Sequence, residues 1–160
     1  MTKAAATKAA AANEVSIQPA VAGDATAVAD VYLASFHATY DFPLAHTHDE
    51  VRGWIRETII GAGGTWVAVD ADGAVVAMMV VARDELDQLY VRPDRLGEGI
   101  GRRLLARAKE ESPTGLSLYT FQVNERARRF YERNAFVAEW FGDGSANEEG
   151  QPDVRYVWRP

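Results

Sequence analysis

"PDRLGEGIGRRLL", residues 93–105, sets glycines at 97, 99 and 101 directly ahead of a segment with helical periodicity, and arginines at 102 and 103 where that helix begins. Alternating glycines leave uncovered the backbone N–H groups between a strand ending near Val91 and a helix starting near Gly99. Bare amides at the positive end of a helix bind phosphate or pyrophosphate. Arg102 and Arg103 agree with an anion there, because each cation in a first turn otherwise opposes the helix dipole by roughly 0.3–1 kcal/mol. The alternative is a flexible turn with solvated arginines. Spacing removes two phosphate motifs. A dinucleotide fingerprint wants glycine where Arg102 stands and an acidic residue about 20 positions on, and the following "GLSLYTFQV" has none. The Gly-Lys-Ser/Thr triplet of a P-loop never occurs.

Outward from this stretch, strand and helix patterns alternate. "VSIQ" (15–18) reads as a short strand ended by Pro19, and Asp24 is the expected cap of a helix with Val28, Val31, Tyr32 and Phe36 on one face. Asp49 precedes a second helix with Val51, Trp54, Ile55 and Ile59 inward, closed by "GAGG". "TWVAVD" and "AVVAMMVVA" flank an Asp/Gly turn as a hairpin, and "ELDQLYV" (85–91) continues as a strand. "IGRRLLARAKEE" is helical through Ile100, Leu104, Leu105 and Ala108, and "GLSLYTFQV" returns as a strand, which predicts a right-handed parallel crossover. "ERARRFYERNAF" carries Ala127, Phe130 and Tyr131 at helical spacing, and "FVAEWF" and "DVRYVW" close the chain as a hairpin around a polar loop.

Composition bounds the reading. A chain of 160 residues, 48% hydrophobic and 25% charged, is the size and make-up of one globular domain. A net charge of −6 argues against a nucleic-acid partner. With no cysteine there is no disulfide, thiolate metal site or cysteine nucleophile, which fits a reducing cytoplasm. No apolar run is long enough for a membrane span, so the expected location is cytoplasmic with no membrane partner. The Ala-rich opening, residues 1–14, reads as a disordered or frayed tail. Residues 15–160 read as a single domain.

"LDQLYVRPDRLGEGIGRRLL" resembles the acetyl-CoA-binding motif of the GCN5-related N-acetyltransferase (GNAT) superfamily, and "VNERARRFYERNAF" is similar to the family's Asn-x-x-Ala-x-x-Phe-Tyr helix. Together they cover roughly a third of the chain. Two departures stand out: Leu96 occupies the position of a usual Gln or Arg, with Arg95 one step earlier, and Ala135 stands where glycine is common. The resemblance implies an α+β, GNAT-fold acetyltransferase domain over 15–160, with a mixed twisted sheet of about six to seven strands flanked by about four helices in αβα layers. It implies that the strands "ELDQLYV" and "GLSLYTFQV" run parallel and splay, with the pantetheine arm of acetyl-CoA between them on the backbone of Leu89 and Val91. Tyr90, Leu96, Gly97, Glu98, Gly99, Ile100, Gly101 and Arg102 complete the expected cofactor contacts, the amides of 97–102 holding pyrophosphate. Asn124, as helix cap, and Tyr131 also reach the cofactor.

Acetyl transfer to an amine needs a base, a polarised thioester carbonyl and a proton for the leaving thiolate. Glu85 matches the family's glutamate base in its histone-acetylating branch, with Asp87 in reserve on the same strand face. By the same resemblance, Tyr131 is the expected acid and the Val91 amide the oxyanion donor; a solvated strand-end carboxylate accounts for Glu85 equally simply, whereas for Tyr131 the family spacing Asn124, Ala127, Phe130, Tyr131 favours function over a core aromatic. Phe36, Tyr40 and Asp87 are the candidate acceptor residues, and the acidic set Asp84, Glu85 and Asp87 favours a cationic amine. His37, His46 and His48 lack cysteine support and no metal is expected. Arg126, Arg128, Arg129 and Arg133 read as a solvated helix face. The leading reading is an acetyl-CoA-dependent N-acetyltransferase acting on a primary amine of a small molecule by direct ternary-complex transfer. Alternatives are a peptide or protein amine acetyltransferase, a catalytically silent acyl-CoA-binding sensor, and a protein that forms a homodimer through the closing hairpin.

Overall fold

The computed structural model describes residues 2–6 and 14–160. The reading of residues 7–13 as frayed tail lies outside the described residues, while residues 3–6 form one helical turn. The strands are β1 (Ser16–Pro19), β2 (Thr65–Val69), β3 (Val75–Ala82), β4 (Glu85–Val91), β5 (Leu116–Phe121), β6 (Val137–Gly142) and β7 (Asp153–Trp158). The helices are α1 (Ala25–Thr39), α2 (His48–Trp54), α3 (Ile100–Glu111) and α4 (Glu125–Arg133). One sheet runs β1-β2-β3-β4-β5-β7-β6, antiparallel throughout except for the β4–β5 pair. It is a mixed α+β sheet of seven strands, and α3 supplies the crossover between its two parallel members.

Side-chain alternation on the central strands builds the two outer layers. Ala77, Met79 and Val81 of β3 face one way, into a core with Ile100, Leu104 and Leu105 of α3 and Tyr131 of α4. Met78 and Val80 face the other way, against Val28, Val31, Val51 and Ile55 of α1 and α2. The apolar run "VVAMMVVA" is therefore buried on both faces, which is why it lacks alternation.

Local signals were read correctly for α3 and less so for the N-terminal helices. The second helix starts at His48, capped by Thr47 and not Asp49: the Thr47 hydroxyl accepts from Glu50 N–H (3.2 Å) and the Glu50 carboxylate accepts from Thr47 N–H (2.7 Å). Asp24 sits at the start of α1, but its carboxylate accepts from Val21 N–H (2.9 Å) and holds a 3-10 turn there, Ala22–Asp24. The α2 helix continues as a π turn, Ile55–Ile59, which keeps Val51, Ile55 and Ile59 buried.

The β4–β5 pair matters most for function. Only one register position, Glu85 with Ser117, joins them. β3 holds β4 along its length, β7 holds all six residues of β5, and beyond the single pair the two strands separate. A bulge adds twist: Val80 pairs with Gln88 and Val81 with Leu86, so Asp87 has no partner on β3. Asp87 therefore stands outside the regular β3–β4 ladder, whereas Glu85 is paired with Ala82.

Two stability predictions follow from the packing. Leu104→Ala removes a fully buried anchor of α3 and lowers unfolding free energy by about 2–5 kcal/mol, measured by denaturant unfolding. Ala135 holds a left-handed conformation (φ 69°) where α4 ends. Ala135→Gly relieves that strain and, after the entropy that glycine adds to the unfolded chain, raises stability by up to about 1 kcal/mol on the same measurement.

Candidate functional site

Where β4 and β5 part, a cleft of about 200 Å³ opens, walled by Leu86–Tyr90 on one side and Tyr119–Phe121 on the other. Asn124, Ala127 and Tyr131 of α4 form its floor, and Tyr40, Asn147 and Asp153 close its far end. The β4 edge facing this space is polar. Arg92 N–H donates to the Val76 carbonyl (2.8 Å), so the same peptide turns the Val91 carbonyl the other way, where it accepts the Ser35 hydroxyl (2.9 Å). By strand alternation the N–H of Val91 and both backbone groups of Leu89 face the gap. An extended ligand with amide groups would complete that edge.

The loop after β4 ends at the N-terminus of α3. Gly97 (φ 79°) and Gly99 (φ 86°) are left-handed and exposed, and no side chain caps the helix at Gly99. The orphan amides of the first turn are therefore open, as an anion site requires. Ile100, fully buried, anchors the turn, and Gly101 lies beside Phe130 and Val91. The two arginines divide. Arg102 is exposed with no ion pair among the described residues, whereas Arg103 Nη1 donates to the Val15 carbonyl (2.6 Å) and ties α3 to the start of the sheet. Arg95 turns inward, its guanidinium on Glu98 (2.5 Å) and on Asp70 (3.1 Å) in the β2–β3 turn, which braces the loop. Leu96 is partly exposed and contributes no polar side chain.

Asn124 caps α4, its Oδ1 accepting from Ala127 N–H (3.1 Å), while its Nδ2 donates to the Tyr40 hydroxyl (2.9 Å). One side chain thus joins the two walls of the cleft. Tyr131 is 8% exposed, packed on Phe130 and Phe136, and its hydroxyl has no hydrogen bond among the described residues. Burial raises its phenol well above the ordinary value of 10, so it keeps its proton at every working pH. Asp87 lines the cleft; Glu85, at the paired root of the strands, does not.

The acceptor candidates also separate. Phe36 is buried and supports an aromatic cluster from below, 5.0 Å from Tyr40 and 5.7 Å from Phe42. Tyr40 and Phe42 stack at 4.8 Å, and both meet Phe121 edge-on at 5.2 Å. Tyr90 faces α1 and packs on Tyr32 (5.0 Å), whose phenol is pushed up to about 12 by burial, with Glu149 and Asp87 adding to it. Sequence reading missed Phe42, Phe121, Asn147 and Asp153. The aromatic pair in "YDFP" was the available signal for Phe42, and an acid opening an otherwise apolar strand was the signal for Asp153.

The histidines link loops. His37 and His48 approach Nε2 to Nε2 at 2.9 Å, and His46 meets Glu148 of the β6–β7 loop at 2.8 Å. Among the described residues no group of three or more ligating side chains could hold a metal. Arg128 is not simply solvated: it donates to the Tyr156 hydroxyl (3.2 Å). No helix among the described residues is long and apolar enough to cross a membrane.

Residues 61–138, which contain the cleft's β4 wall, the glycine loop and α4, match the family model of the acetyltransferase (GNAT) domain. The cleft is thus built largely from a stretch similar to the GNAT acetyltransferase domain. The chain is 29% identical over 122 residues to the peptidyl-lysine N-acetyltransferase YjaB of Escherichia coli, covering 76% of this chain and 80% of that protein. In fold it is similar to the solution structure of apo YjaB from the same organism (TM-score 0.75, 24% identity, 90% of this chain and 97% of that one). It also resembles the PaiA N-acetyltransferase of Thermoplasma acidophilum in complex with coenzyme A (TM-score 0.68, 19% identity, 91% and 99%).

Arg102→Ala should weaken acetyl-CoA binding about two- to fivefold, more at low salt than at high, while the melting temperature is unchanged; calorimetric titration at two salt concentrations and a thermal melt check both arms. Glu148 raises the His46 pKa above its ordinary 6.5, chiefly by hydrogen bonding. The charged latch is therefore complete below the ordinary range and is lost as pH rises through the raised value. An NMR titration of the imidazole should show an elevated midpoint that falls back in Glu148→Gln.

Proposed function

We propose that the chain is an acetyl-CoA-dependent N-acetyltransferase that moves an acetyl group to a primary alkyl amine by direct transfer in a ternary complex. The observation that carries this reading is the separation of β4 from β5 after one register pair, with an exposed polar strand edge and an uncapped helix N-terminus at the same end. The residues present suit the donor. Backbone groups of Leu89 and Val91 are the partners for the pantetheine amides, and the amides from Gly97 to Arg102 are the pyrophosphate seat. With no cysteine in the chain, no cysteinyl acyl-enzyme forms.

In the transfer itself the amine nitrogen forms a C–N bond as the thioester C–S bond breaks. The Val91 N–H is the donor for the carbonyl oxygen as it gains charge. Tyr131, protonated and without another acceptor, gives its proton to the leaving sulfur. A carboxylate takes the proton that the amine must lose, since an alkyl ammonium has a pKa of about 10.4. Asp87 ranks ahead of Glu85 for this role because it lines the cleft. For the acceptor, a small-molecule amine and a lysine side chain of a peptide present the same head group. The lysine reading has specific support in the named activity of the Escherichia coli relative, which this chain matches over 80% of its length.

Thiol release from acetyl-CoA across small amines, polyamines, aminoglycosides and lysine peptides tests the reading, and the cysteine-free protein is silent in that assay. Release with an amine supports it; tight acetyl-CoA binding with no release across the panel leaves the silent binding module. Tyr131→Phe and Asp87→Asn should each lower kcat about 100-fold with acetyl-CoA affinity retained, and Glu85→Gln should lower it less. Unchanged kcat in both removes these two residues from the chemistry.

A further inference from the structure

The cleft's far end contains a carboxylate that the transfer does not use. Asp153 opens β7, directly opposite Phe121 on β5, and is 9% exposed. Its neighbour Val154 faces the α3–α4 core, so the Asp153 side chain lies on the other face of the sheet, the side of Phe121, Tyr40 and Phe42. Among the described residues its only side-chain hydrogen-bond partner is the Asn147 amide, at 3.3 Å from Oδ2. The second N–H of that amide donates to the Gln151 carbonyl at 2.7 Å, so the carboxylate receives one neutral, longer hydrogen bond from it. Oδ1 lies over the α-carbon of Gly142, so close that a Cβ there would collide with it. No Lys, Arg or His among the described residues forms an ion pair with Asp153.

A buried carboxylate without a cation is costly, and burial is ordinarily compensated by a positive partner. This one lines the cleft together with Tyr40 and Phe121, and aromatic faces attract ammonium groups. Resting on the transferase reading of the cleft, we propose that Asp153, with the Tyr40–Phe42–Phe121 cluster, is the subsite that receives the positive charge of the acceptor. It selects cationic amines over neutral ones and holds the ammonium before Asp87 removes its proton. Asp153 is a binding and specificity residue, and no bond is made or broken at it.

Butyltrimethylammonium, a lysine-head analogue that cannot be acetylated, probes the site at equilibrium by calorimetry on the acetyl-CoA-saturated wild-type protein. It should bind, its uncharged carbon isostere should not, and Asp153→Asn should weaken it by roughly 30-fold or more, as loss of a buried charge partner does. Asp153→Glu, which keeps the charge, should retain part of the affinity, while acetyl-CoA binding stays unchanged in both variants and Asp153→Asn, relieved of an uncompensated buried charge, melts no lower than wild type. For turnover of a lysine amide, Asp153→Asn should raise KM and leave kcat within a few-fold. No binding of the cation by wild type, equal binding of its neutral isostere, or an unchanged affinity in Asp153→Asn overturns the subsite. The transferase reading fails on a different result, absence of thiol release by wild type with every amine, which the equilibrium titration does not depend on.

Discussion

Two parallel strands that share a single register pair and then part are the constraint on which this molecule turns. Strand edges inside a protein must find hydrogen-bonding partners. Here β3 satisfies one edge of β4 and β7 satisfies one edge of β5, so the two unsatisfied edges face each other across the gap. The topology then adds charge to that opening. β4 leads by a short loop into the N-terminus of α3, and β5 leads directly into the N-terminus of α4, so two positive helix ends lie at the end where the strands diverge. Asn124 occupies the second of these as a cap, leaving the first open.

The walls are kept apart from both sides of the sheet. Ser35 of α1 binds the last carbonyl of β4, and Tyr40 just beyond α1 binds Asn124 just beyond β5. One helix therefore sets the width of the opening at two points. The bulge at Asp87 turns that residue out of the ladder and into the cleft wall.

Much of this was legible in the sequence. The glycine alternation at 97, 99 and 101, the apolar spacing of α3 and the Asn124–Ala127–Tyr131 pattern are local signals, and local signals survive folding. What the sequence did not reveal depended on long-range partners. Arg103 reads as an anion ligand beside the glycines, yet it is held by the Val15 carbonyl, 88 residues away, and Arg95, one step before Leu96, is held in part by Asp70, 25 residues away. The bulge is invisible because it is a property of the β3–β4 register and not of either strand. Asp153 and Phe121 are 32 positions apart in the chain and meet only because β7 inserts beside β5.

Charge across the cleft follows from the same arrangement. The chain carries a net charge of −6, and the open helix end beside the glycines is lined by backbone: of the three arginines nearest the glycines only Arg102 is left to face solvent. Amide dipoles at a helix N-terminus offer an anion a seat without a basic patch. Acidic groups stand in the cleft itself, where Asp87 and Asp153 line the walls and Glu149 is close enough to raise the Tyr32 phenol. An anionic group at the open helix end and a cationic group beside these carboxylates would each meet opposite charge already in place in the fold.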